Sequence, residues 1–111
     1  MTKPDTEHTT KACDAALARA FGFLGKRWNG IILGTLMSGP SGFAELGRAI
    51  DGISDSVLSE RLSELAGVEL IEREVNPGPP LSVTYHLTPA GAALLPALTE
   101  LTDWALHNLP A

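Results

Sequence analysis

The chain has 111 residues, 44% of them hydrophobic and 19% charged, which fits one folded domain with a modest core that gains from further burial between two copies. No apolar run approaches the roughly 18 residues of a membrane span, which argues against membrane insertion, and the polar opening from Met1 to Lys11 has no apolar secretory core, which points to a cytoplasmic protein. The net charge of −5 at pH 7 counts against a simple nucleic-acid binder, because such affinity comes largely from Lys and Arg neutralising phosphates.

In chain order, residues 1–12 read as a flexible tail and residues 13–111 as the folded domain. Cys13 to Leu24 places Ala16, Leu17, Ala20, Phe21 and Leu24 on one stripe, a first helix ended by Gly25. A single cysteine allows no intrachain disulfide, and with His8, His86 and His107 scattered it gives no metal-ligand spacing, so neither a metal nor a cofactor is expected. From Lys26 to Met37, Trp28, Ile31, Ile32, Leu33, Leu36 and Met37 make the wide apolar surface of a central helix. Gly30 and Gly34 are poor helix formers there, and the expectation is that they admit a neighbouring helix at close range.

Phe43, Leu46 and Ile50 then recur at helical spacing, Asp51-Gly52 supplies a turn, and Ser54 caps a second helix whose Leu58, Leu62 and Leu65 share a face. Two short amphipathic helices around a tight break are the pattern of a helix-turn-helix. Leu70–Val75 and Ser82–Leu87 follow as strands around the rigid Asn76-Pro-Gly-Pro-Pro80 loop, adding a β-hairpin wing. Thr88 as N-cap and Pro89 at the first helical position open a last helix. Its stripe of Leu94, Leu95, Leu98, Leu101, Trp104 and Ala105 exceeds what a small winged domain covers alone and reads as a dimer seam, with a kink expected at Pro96. The fold class is mainly α with a small β-hairpin, a winged helix-turn-helix.

The order Cys13, Gly25-Lys-Arg-Trp28, Ile32-Leu33, Leu36, Gly39-Pro40, Phe43-x-Glu-Leu46, Ile50-x-Gly-Ile-Ser54, Leu58, Arg61-Leu62, Glu64-Leu65, Arg73, Pro79-Pro80, Val83-x-Tyr-x-Leu-Thr88, Gly91, Leu94 and Trp104 resembles the HxlR family of bacterial transcriptional regulators. The resemblance runs from Cys13 to the end of the chain. It implies a homodimer joined through the N- and C-terminal helices, here through Leu17, Phe21, Leu94, Leu98, Leu101 and Trp104. It also implies, for some members, a response to oxidants or electrophiles through an N-terminal cysteine. The chain departs from the family in having Ser56 and Ser63 where Lys or Arg is usual on the recognition helix, and Leu81-Ser82 where an Arg adjoins the paired prolines. The interval from Cys13 to Trp28 is longer than the family's, and Glu69 replaces the usual helix-ending Gly, so the helix is expected to stop at Gly67.

With Leu58 inward, Ser56, Ser59, Glu60 and Ser63 point outward and Arg61 lies on a flank. Serines bond phosphates or bases and Glu60 accepts from a cytosine amino group; Lys26, Arg27, Arg48 and Ser54 complete the expected set of contacts to double-stranded DNA. The bland alternative is a solvated polar face. For Cys13 two readings stand: a sensor at the start of a helix, or a small buried hydrophobe in a reduced compartment. Trp28 and Trp104 read as core and dimer anchors and His86 as exposed. No Ser/His/Asp set, no paired acids in an apolar pocket and no phosphate loop is present, so an enzyme is not expected. The expected function is a sequence-specific regulator with a redox, electrophile or small-molecule effector; the alternative is a protein-interaction winged helix that has lost DNA binding.

Overall fold

The structure, a computed structural model, describes residues 3–111, with side chains from Ala12 onward. The elements run α1 (Lys3–Leu24), α2 (Asn29–Leu36), β1 (Ser41–Gly42), α3 (Phe43–Ala49), α4 (Asp55–Gly67), β2 (Ile71–Asn76), β3 (Ser82–Leu87), α5 (Pro89–Ala92) and α6 (Leu95–Asn108). Helical spacing decides which side chains meet. Ile32, Leu33 and Leu36 of α2 are buried against Leu46 of α3, Ile50 just beyond it, Leu58, Leu62 and Leu65 of α4, and Ile71 of β2. Each such aliphatic side chain contributes about 1.5–3 kcal/mol when removed from water, and together they fix α4 on its inner face.

The strands form one antiparallel sheet in the order β1-β3-β2. Glu72 faces His86 and Arg73 faces Tyr85 across the hairpin, while Ser41 and Gly42 pair with Tyr85 and Thr84 on the other side of β3. Tyr85 and Leu87 pack against the core, so one face of the wing is anchored and the other, with Glu72 and Glu74, is exposed. The strand at Ser41–Gly42 is not among those expected from the sequence. A two-residue strand has too little alternation to register as one.

Three further expectations are corrected. First, α1 begins at Lys3 rather than Cys13, so the stretch read as a tail from residue 3 onward is helical; Pro4 sits in the first turn, where a missing N–H costs nothing. Second, the last helix is two helices: α5 ends at Ala92, and Pro96 falls in the first turn of α6 instead of kinking its interior. Proline cannot donate to the carbonyl one turn earlier, and the chain breaks at Ala93-Leu94 where that bond would have formed. Third, Gly30 and Gly34 are not close-approach sites, since a Cβ would lie 3.7 Å from a Leu24 methyl at Gly30 and would meet nothing within 4 Å at Gly34.

The end of α4 falls at Gly67, as its sequence predicts, but Glu69 takes the left-handed conformation with φ 61°. Glu69 N–H donates to the Ala66 carbonyl and Leu70 N–H to the Leu65 carbonyl, at 3.0 Å each. This is a Schellman closure in which an acidic residue stands where glycine is favoured. Thr88 locks the next corner: its hydroxyl donates to the Glu69 carbonyl at 2.7 Å and accepts from Gly91 N–H at 3.1 Å.

Candidate nucleic-acid interface

The turn between α3 and α4 uses Gly52 at φ 86°, a backbone that favours glycine. Ser54 then accepts a hydrogen bond from Val57 N–H at 3.2 Å and caps α4, so its hydroxyl is engaged in starting the helix. With Leu58, Leu62 and Leu65 inward, Ser56, Ser59, Glu60 and Ser63 are all exposed on the opposite side. They form a polar strip along the helix that follows the turn, the side available to a groove. Upstream, Gly42 N–H donates to the Glu45 carboxylate at 3.0 Å and starts α3, whose last turn carries the exposed Arg48.

The five cations in or beside the helix-turn-helix and wing divide into two groups. Lys26 Nζ lies 2.6 Å from Glu64 Oε2, and Arg61 bonds both Glu60 at 2.8 Å and Glu64 at 3.2 Å. Arg61 is 12% exposed and does not stand out from the polar strip. Arg27, Arg48 and Arg73 are exposed and pair with no carboxylate among the described residues. The Arg27 guanidinium lies 4.6 Å from the Trp28 ring centroid, which holds its planar group in place by cation–π attraction.

Two polar residues that sequence reasoning passed over organise the first group. Asn29 is fully buried; its side-chain amide donates to the Phe23 carbonyl and to Glu64 Oε1, both at 2.9 Å. Its Oδ1 has no protein hydrogen-bond partner among the described residues. The Lys26 ammonium, then the Asn29 amide, and more weakly Arg61, hold the Glu64 carboxyl below its ordinary value. Nothing local marks this cluster, because Lys26 and Glu64 are 38 residues apart.

Cys13 is a free, exposed thiol, which removes the reading of a buried hydrophobe. It also lies ten residues into α1, not at its start, so the helix N-terminus no longer adjoins it. Of the residues expected at a dimer seam, Leu94 and Leu98 pack against the protomer's own core. Leu17 and Phe21 of α1 and Leu101 and Trp104 of α6 are each about half exposed, at 57%, 54%, 48% and 52%. His86 is half-buried rather than open, with its ring nitrogens 3.7 Å from Glu72 and 3.6 Å from Glu74. No helix among the described residues is long and apolar enough to cross a membrane.

Comparison with known proteins bears on this architecture. Residues 23–111 match the family described as HxlR-like helix-turn-helix, a stretch that begins after Cys13. The HTH-type transcriptional regulator YodB of Bacillus subtilis (strain 168) is 48% identical over 86 residues, covering 78% of this chain and 77% of YodB. The reduced form of YodB superposes with a TM-score of 0.79 at 44% identity, over 85% of this chain and 92% of that one. The reduced form of the redox regulator HypR gives 0.79 at 28% identity, over 84% and 92%. The chain is thus a member of the HxlR-like helix-turn-helix family, whose proteins are transcriptional regulators and not enzymes.

Proposed function

We propose that this protein is a regulator that reads duplex DNA as a homodimer, with α4 of each copy in a major groove and Cys13 setting the affinity. The observation that carries the reading is the capped α4 with Ser56, Ser59, Glu60 and Ser63 exposed behind a fully buried leucine face. Arg27 and Arg48 act as phosphate contacts that position it, and Ser59 and Glu60 meet base edges. The half-exposed Leu17, Phe21, Leu101 and Trp104 supply the apolar seam between copies. Two recognition helices related by a two-fold axis read a palindrome whose half-sites lie about 34 Å, one helical turn, apart or a multiple of it.

Cys13 enters through its exposure on α1, the helix that carries Leu17 and Phe21, and through the likeness to YodB and HypR. Its oxidation or alkylation shifts one subunit against the other and so changes the spacing of the recognition helices. The test compares operator affinity of wild type and Cys13→Ser before and after a mild oxidant and a quinone. Affinity that changes in wild type alone supports the role; equal affinities throughout leave the effector to a ligand between the dimer helices.

A second reading, a winged helix that binds a protein partner and not DNA, draws on the net charge of −5 and on the engagement of Lys26 and Arg61 with acids. Binding of fragments of the native genome at low salt separates the two, since only the regulator prefers particular duplexes to random DNA.

A further inference from the structure

The buried leucine face sets which side of α4 turns inward, but apolar contact is non-directional and leaves the fine rotation about the helix axis to be fixed by directional bonds. Rotation is what a reading helix has to resist, because it carries each side chain from one base edge to the next. Directional bonds at the C-terminal half of α4 supply that restraint. Glu64 Oε2 receives Lys26 at 2.6 Å and Arg61 at 3.2 Å, while Glu64 Oε1 receives the Asn29 amide at 2.9 Å.

The same bonds reach back to α1. The second N–H of the Asn29 amide holds the Phe23 carbonyl, one of the last of α1, and Lys26 N–H donates to that carbonyl at 3.2 Å. One planar amide therefore bridges the end of α1 and the last turns of α4, and no displacement of α1 at Phe23 leaves Glu64 undisturbed.

We propose that the Glu64 carboxylate, gripped by Lys26 and Asn29, is the joint that sets the rotation of the recognition helix against α1. Lys26, Asn29 and Glu64 are on this account positioning residues, and Lys26 is not a phosphate contact. The inference rests on the DNA-binding reading for its consequence, while the joint itself is a property of the free protein. It also gives a route by which a shift of α1 reaches α4.

The test has a step without DNA and a step with it. In free protein, Lys26→Met and Glu64→Gln are expected to raise amide exchange in the last turn of α4 by roughly tenfold while leaving the β2–β3 hairpin unchanged. Lys26→Arg, which keeps the pair with Glu64, is expected to restore protection. With a selected operator, Lys26→Met lowers the ratio of operator to scrambled-duplex affinity and leaves the salt slope unchanged. A slope that falls by about 0.9 per protomer with the ratio intact makes Lys26 a phosphate contact and overturns the proposal. Unchanged exchange in both variants overturns it even if no duplex binds. Lys26 is 49% exposed, so Lys26→Met folds and keeps the test decisive where a buried substitution does not.

Discussion

Glu69 shows how a single residue departs from what its place in the backbone favours. Its left-handed φ of 61° costs a non-glycine residue about 1–2 kcal/mol, and the Schellman bonds around it hold the strained conformation in place. Glu69→Gly is expected to stabilise the protein by about 1 kcal/mol, a rise of roughly 4–8 °C in Tm by thermal denaturation. Glu64 makes a prediction of a different kind. Its pKa is lowered in the folded state, so the stability it contributes is fully present above the ordinary value of 4.5 and is lost as pH falls below it. The Tm difference between wild type and Glu64→Gln should hold constant near neutral pH and close on acidification below that value. The two caps, Ser54 and Thr88, are legible in the sequence because capping is a contact between residues three apart. The grip on Glu64 is not, because only the tertiary fold brings residues 26, 29 and 64 together.

At the level of elements, α3, α4 and the hairpin follow from hydrophobic period and turn residues, and the structure places them within two residues of where the pattern does. The failures come where pattern is short or interrupted. β1 has two residues, and the break before Pro96 separates the short α5, which carries none of the leucines, from α6, which carries the stripe from its cap Leu94 onward. Gly91 is the element-scale residue whose role the pattern hides: a Cβ there would sit 2.1 Å from the Leu70 carbonyl oxygen, so α5 rests directly on the backbone that leaves α4. Gly91→Ala is expected to destabilise by about 1–3 kcal/mol through overpacking, measured by urea denaturation. Gly34→Ala, with open space at its Cβ, is expected to stabilise α2 by up to about 1 kcal/mol.

For the whole molecule, an excess of apolar residues on the last helix was legible, but not its division between the protomer's own core and the proposed seam. Leu94 and Leu98 serve the protomer's own core, which leaves the half-exposed Leu101 and Trp104 for the partner in the proposed homodimer. A double Leu101→Asp, Trp104→Asp variant should therefore keep the folded protomer and sediment as a monomer at micromolar concentration, whereas a charge at position 98 would unfold it. The central claim is that an acidic protein reads a specific duplex with few phosphate contacts. The most direct measurement is the affinity of the dimer for a genome-selected duplex and for its scrambled counterpart across a salt series. The account predicts a preference of about 10³ or more for the selected duplex, and a slope of log affinity against log salt of about −3 to −6, at roughly 0.9 per phosphate. Equal affinity for the two duplexes at low salt would contradict it.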